Sequence, residues 1–236
     1  VETVCTMVES QHLISSKLAK EITKFLLNST IGLESKNLEL LVKHGISQAL
    51  LELLNTNKTT TTVVVKSIAI RTVQNLCCSS NVAIQLDQIW LKPLIKFLHD
   101  VPTDIGAVTS LFNLSCCGYA RETLIENKTH LVMLDLMLGS RDLVMKSLYL
   151  QVIAQLSNST TAIHDLLQMK LISKLDGQLK EGQKVEFWND IALMLLAVSA
   201  FALMELTSEE LICIVKILKT ICAVSYTHLT LPTNRE

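Results

Sequence analysis

The chain has 236 residues, of which 49% are apolar, 4% aromatic and 18% charged, with 21 basic and 22 acidic side chains and a formal net charge of −1. Seven glycines and three prolines supply too little turn chemistry for a many-stranded β fold. The near-neutral balance leaves no basic field to draw in nucleic acid or a membrane surface.

Taken in order, Leu13, Ile14, Leu18, Ile22, Phe25 and Leu26 recur close to every 3.6 residues, which predicts one amphipathic helix over residues 9–27, ending near Asn28 and Gly32. A shorter helix follows over 36–43, closed by Gly45 as a left-handed cap. A second runs over 46–54, with Leu50, Leu51, Leu53 and Leu54 inward. After a polar loop over 55–62, Val63, Val64 and Val65 locally favour a strand. The run nevertheless continues without a breaker to Cys78 and reads as one long helix, because packing overrides propensity.

The same short, medium and long unit then recurs. It is predicted over 81–88, 89–98 and 104–117, with Asp104 as N-cap, and again over 119–126, 129–138 and 142–156. A further unit covers 161–169, 171–179 and 185–204. Thr207 and Glu210 stand at capping-box spacing before a last helix through Cys222. Residues 225–236 lose the apolar period and read as a non-native or disordered tail, similar to translated adaptor or vector sequence. A chain that begins at Val1 rather than Met reads as a fragment.

The long helices end alike. Asn75-Leu76-Cys77-Cys78 is answered 38 residues on by Asn113-Leu114-Ser115-Cys116 and 42 further by Gln155-Leu156-Ser157, with Ala197 taking the amide position a fourth time. Periods near 40 are those of helical solenoids. With three helices per unit, Asn-Leu-Cys and Asn-Leu-Ser at the longest, and His44-Gly45-Ile46 at a corner, residues 33–204 resemble the armadillo repeat.

The resemblance implies an all-α, right-handed solenoid. It has a partial repeat over 1–32, repeats over about 33–79, 80–117, 118–158 and 159–204, and a C-terminal helix over 207–224. It also implies that the asparagine amides hold the backbone of an extended peptide. The matching positions are Asn75, Asn113 and, as a conservative departure, Gln155; one turn earlier on the same face stand Arg71, Thr109 and Gln151. Tryptophan, usual there in nuclear import receptors, is absent, whereas Arg71 is similar to the cationic contacts of catenin-type grooves for acidic peptides. The competing role for Asn75 and Asn113 is to cap their own helix ends.

Other chemistry finds no constellation. Adjacent cysteines on a helix diverge by about 100°, so Cys77-Cys78 and Cys116-Cys117 are poor chelators, and Cys77 and Cys116 read as small core residues. The six histidines are scattered, and no phosphate loop, HExxH or GxSxG occurs. No enzymatic activity, cofactor or metal is expected. Five Asn-X-Ser/Thr triplets, at Asn28, Asn57, Asn113, Asn127 and Asn158, read as chance, and the apolar run 191–204 as a buried helix too short to span a membrane. Phe187 and Trp188 read as packing at the start of the last long helix.

Seven cysteines without a CxxC or a secretory leader point to an intracellular setting, cytoplasmic rather than nuclear. The expected function is a non-enzymatic scaffold that binds extended peptide segments, or helices, of other intracellular proteins in a concave groove lined by the long helices, with no nucleic-acid or membrane partner. The alternatives are a subunit packed permanently into a ciliary or cytoskeletal assembly, and the substrate-docking part of a larger enzyme.

Overall fold

The computed structural model describes residues 2–9, 16–55, 62–178, 191–192, 195 and 206–230. Every regular element among them is an α-helix. The chain divides into two compact units, Val1–Asn127 and Lys128–Glu236.

The first unit holds α1 (Glu2–Glu9), α2 (Ser16–Asn28), α3 (Ser35–Lys43), α4 (Ile46–Asn55), α5 (Val63–Leu76), α6 (Ser80–Asp100), α7 (Ile105–Cys116) and α8 (Gly118–Glu126). Helices α2, α5 and α7 are layered, with α5 packed on α2 on one side and on α7 on the other. A helix in that position needs apolar residues facing two neighbours, which explains how a valine-rich stretch becomes helical. Val65, Ala69, Ile70, Val73 and Leu76 are all buried, and each large aliphatic side chain removed from water stabilises by about 1.5–3 kcal/mol, more than the few tenths by which valine disfavours helix. The Thr62 hydroxyl accepts from the Val65 N–H and caps the start.

Two further helices back these layers: α4 packs on α5 and α6, and α6, 21 residues long, on α7 and α8. Trp90 of α6, fully buried, donates its indole N–H to the Ser47 hydroxyl of α4 at 2.8 Å. That bond satisfies two polar groups that would otherwise be costly to bury. Asp104 caps α7 as the sequence suggests, its carboxylate accepting from the Ala107 N–H at 3.0 Å.

Two boundaries differ from the sequence reading here. Residues 2–9 are helical ahead of the expected start, residues 10–15 lie outside the described residues, and the helix expected over 9–27 is seen over Ser16–Asn28. The two helices expected over 81–88 and 89–98 are one continuous helix, α6. Corners elsewhere are made by a residue in the left-handed region, Gly45 at φ 84°, Lys128 at φ 55° and Lys170 at φ 56°. Neither Gln88 nor Ile89 has positive φ, so nothing interrupts the helical ladder between them, and even Pro93 lies inside the helix.

The second unit holds α9 (Thr129–Gly139), α10 (Leu143–Leu156), α11 (Thr160–Gln168), α12 (Leu171–Gln178) and α13 (Ser208–Thr230). Here α10 packs on α9, α11 on α9 and α12, and α13 on α12. The long helix α10 is capped by Asp142, which accepts from the Val144 N–H at 2.9 Å, and it buries Met145, Tyr149, Leu150, Val152, Ile153 and Leu156. Burial, with the Asp142 charge adding, pushes the Tyr149 phenol up to about 12.

The capping box at α13 forms in both directions: Glu210 N–H donates to Thr207 Oγ1 at 3.2 Å, and Thr207 N–H to Glu210 Oε2 at 2.9 Å. This helix continues to Thr230, past the expected end at Cys222 and into the stretch read as a tail. No glycine or proline stands before Pro232 to stop it. Of the long helix expected over 185–204, only Ile191, Ala192 and Leu195 are described; they are helical, and Ile191 and Leu195 are buried. Phe187, Trp188 and Ala197 lie outside the described residues. No described helix is long and apolar enough to cross a membrane.

Candidate peptide-binding face

The sequence singled out six side chains on the long helices. Arg71 and Asn75 stand on α5, Thr109 and Asn113 on α7, and Gln151 and Gln155 on α10 of the second unit. Residues four apart lie one turn from each other on one helix face, so each helix contributes a matched pair. Arg71 is exposed, and the other five are half-buried.

Within the first unit both asparagines reach back to the preceding long-helix layer. Asn75 Nδ2 donates to Thr30 Oγ1 just after α2 at 3.0 Å, and that hydroxyl passes its own proton to the Leu27 carbonyl at 2.7 Å. Asn113 Nδ2 donates to the Gln74 carbonyl of α5 at 3.4 Å and lies 3.6 Å from Cys78 Sγ. Neither asparagine caps its own helix; each ties its layer to the one before. Among the described residues the Oδ1 atoms of Asn75 and Asn113 have no hydrogen bond. A side-chain carbonyl with free lone pairs on a half-buried face is an acceptor for an incoming N–H.

The turn before them differs from helix to helix. Thr109 spends its proton on its own backbone, Oγ1 donating to the Ile105 carbonyl at 2.8 Å. Gln151 Nε2 donates to Ser147 Oγ at 3.4 Å. Arg71 has no ion pair among the described residues. Its stem is positioned nonetheless: a Cβ built on Gly106 of α7 would stand 3.2 Å from Arg71 Cγ and 3.2 Å from Asp104 Oδ1. The missing side chain at Gly106 lets the arginine stem lie against α7, with its guanidinium exposed. Sequence reasoning missed Gly106, whose signal was a lone glycine in a helical pattern, and it missed Thr30 as the partner of Asn75. Val64 and Ile105, each about half exposed, lie on the same outer faces toward the helix N-termini.

The cysteines fall otherwise than expected. Cys77 is buried and Cys78 exposed, but Cys116 is also exposed and Cys117 half-buried. Matching Asn75 to Asn113 aligns Cys77 with Ser115, which is fully buried, and Cys78 with Cys116. Serine, not cysteine, therefore takes the core place in α7. Among the described residues no three His, Cys, Asp or Glu side chains converge as metal ligands.

Among the described residues two ion pairs share one carboxylate in the second unit. Asp165 of α11 accepts from Lys128 Nζ at 2.7 Å and sits 3.0 Å from Nε2 of the fully buried His130. Burial pushes the Asp165 carboxyl up, but the bonds from Lys128 and His130 outweigh it and hold the group below its ordinary value. Burial likewise pushes His130 down, against the pull of Asp165. Thr129 Oγ1 and His130 Nδ1 are buried without a hydrogen bond among the described residues.

No family model and no curated protein matches the chain. Solved structures do. A designed armadillo repeat protein, YIII(Dq)4CqI, superposes with a TM-score of 0.71 at 17% identity, over 91% of this chain and 87% of its own. A second, YIII(Dq.V1)4CPAF in complex with the peptide (KR)4, gives 0.67 at 16% identity, over 92% and 99%. The fold is an all-α solenoid of armadillo-like repeats.

Proposed function

We propose that the chain is a non-enzymatic interaction scaffold that binds an extended peptide segment on the outer faces of its long helices. The observation that carries this reading is the pair of half-buried asparagines on successive layers, each with its amide nitrogen anchored and its carbonyl oxygen without a hydrogen bond among the described residues. Layered helices lie about 8–10 Å apart, and an extended chain advances about 3.3 Å per residue, so two such acceptors match backbone N–H groups roughly three residues apart. On α10 of the second unit Gln155 stands at the position that matches the two asparagines. The structural relative solved with (KR)4 shows that an armadillo scaffold can hold a peptide, and that peptide is basic. Here the exposed Arg71 repels such a peptide and favours one with a carboxylate at that level, while Val64 and Ile105 supply apolar contact.

The test begins with selection of unbiased displayed peptides on the full chain. Acidic sequences should be enriched. Asn113→Ala should weaken the selected peptide by about two- to twelvefold, the worth of one net hydrogen bond of about 0.5–1.5 kcal/mol. Because that change also removes the bond to Gln74, Thr30→Val is the control. It deletes the anchor of Asn75, lowers stability and leaves the acceptor atoms in place. Equal peptide affinity in wild type and Asn113→Ala, with helicity retained, would move the reading to permanent packing in an assembly.

A further inference from the structure

Two corners of the second unit are built alike and finished differently. At the first, Lys128 stands at φ 55° just before α9, and His130 is the second residue of that helix. Both meet the carboxylate of Asp165, the sixth residue of α11, at 2.7 and 3.0 Å. At the second, Lys170 stands at φ 56° just before α12, Ile172 is the second residue of α12, and Cys213 is the sixth of α13. Helix α12 packs on α13 as α9 packs on α11. The three places therefore correspond, and the carboxylate that closes the first corner is a thiol at the second. Burial, with the Asp176 charge adding, pushes that thiol up, so it carries no charge to offer Lys170.

Where the first corner holds its ion pairs, the second opens as a depression of about 440 Å³, a size within the range of small-molecule sites. Lys170, Ile172 and Cys213 all line it, together with Ser173, Asp176 and Glu209. Asp176 is held through both oxygens by Lys216, at 3.0 and 2.9 Å, and Glu210 is taken by the capping box. Two opposite charges on the walls have no ion pair among the described residues, the Lys170 ammonium and the Glu209 carboxylate. A simple anion at Lys170 is opposed by Glu209, and a simple cation at Glu209 is opposed by Lys170. A molecule that carries both a carboxylate and an ammonium satisfies the two together. Lys170 also adopts a backbone conformation that Gly45 takes without strain, and local strain of this kind gathers at ligand sites.

We propose that this depression binds a small zwitterion of the α-amino-acid class. Its carboxylate takes, against Lys170, the place that Asp165 holds against Lys128, and its ammonium faces Glu209. The Ser173 hydroxyl is a further donor on the same wall. The depression is open and its charges are hydrated, so the affinity is in the millimolar range. The site lies between α12 and α13 and does not depend on the peptide-binding reading.

The full chain, isotope-labelled, would be titrated with glycine, L-alanine and L-leucine to about 20 mM and followed by amide NMR spectra. Expected with at least one of them are saturable shifts concentrated at residues 170–176 and 207–213. The amide of that amino acid, which lacks the carboxylate, and its N-acetyl form, which lacks the ammonium, should each bind about tenfold more weakly. Lys170→Gly should abolish binding while raising the melting temperature, so the loss cannot come from unfolding. Lys170→Gln, which keeps a long side chain, should weaken binding by about tenfold or more. Cys213→Asp supplies the carboxylate from the chain itself and should also exclude the amino acid. No saturable shift with any of the three, or binding indifferent to the Lys170 changes, would overturn the proposal. Either blocked form binding as well as the free amino acid would overturn the zwitterion pairing.

Discussion

Lys170 shows how a single residue can stand where its chemistry fits poorly. It turns the corner between α11 and α12 at φ 56°, a conformation Gly45 adopts at the corner of α3 and α4. A side chain in the left-handed region costs about 1 kcal/mol that glycine avoids, partly offset by the larger entropy of glycine in the unfolded chain. Lys170→Gly should therefore raise thermal stability, by up to about 1 kcal/mol, in a melting experiment. Lys128, at φ 55°, gives no such clean test, because its ammonium also binds Asp165.

That same carboxylate makes the fold sensitive to acid. His130 and Asp165 both protonate less readily folded than unfolded. For His130 the unfolded chain takes up a proton near pH 6.5, which the folded chain refuses until lower pH, so stability falls as pH drops below about 6.5. For Asp165 the stabilisation is present above the unfolded value, near 3.9, and is lost as pH falls through its lower folded value. Melting temperature should decline in two stages on acidification. His130→Gln should flatten the first, and a wild-type profile that is level between pH 7.5 and 5 would contradict the assignment.

At the scale of helices, the features legible in the sequence were those set by local chemistry. Asp104 as a cap, the Thr207–Glu210 box and the glycine corner at Gly45 each rest on one or two neighbouring residues, and each is found. The valine run at the start of α5 was legible only through its continuation to Cys78, since its two packing partners lie far off in sequence. What escaped was set by absence or by distance. The fusion of α6 follows from the lack of any corner residue, and the extension of α13 to Thr230 from the lack of any breaker. Thr30 is 45 residues from the asparagine it binds, so no local pattern announces it.

The cysteine register shows the same limit. Treating Cys77 and Cys116 as equivalent first members of their pairs puts both in the core, whereas aligning the asparagines puts Ser115 there. Titration of native protein with a thiol reagent should modify Cys78, Cys116 and Cys222 readily, while Cys5 and Cys77 react only after denaturation. Protection of Cys116 to the same degree as Cys77 would contradict the register.

For the whole molecule, the repeat period and the asparagine copies were enough to identify an armadillo-like solenoid, because repetition averages over errors in any one unit. The candidate site was legible only as positions. The sequence placed Arg71, Asn75, Thr109 and Asn113 on successive long helices, but it did not show that both amide nitrogens are anchored, that Thr109 is turned onto its own backbone, or that Gly106 makes room for the arginine stem. Those features turn a ladder of equivalent amides into a face with two acceptors and a positioned cation, and the proposed preference for acidic peptides rests on that cation.

Charge exchange across that face is the most direct test of peptide binding. Fluorescence anisotropy would measure dissociation constants for the selected acidic peptide and for its counterpart with Asp and Glu replaced by Lys, each against wild type and Arg71→Glu. Wild type should prefer the acidic peptide. Arg71→Glu should reduce or invert that preference by about tenfold or more, as expected for a close charge pair. Identical preferences in both proteins, with helicity intact, would contradict binding on this face.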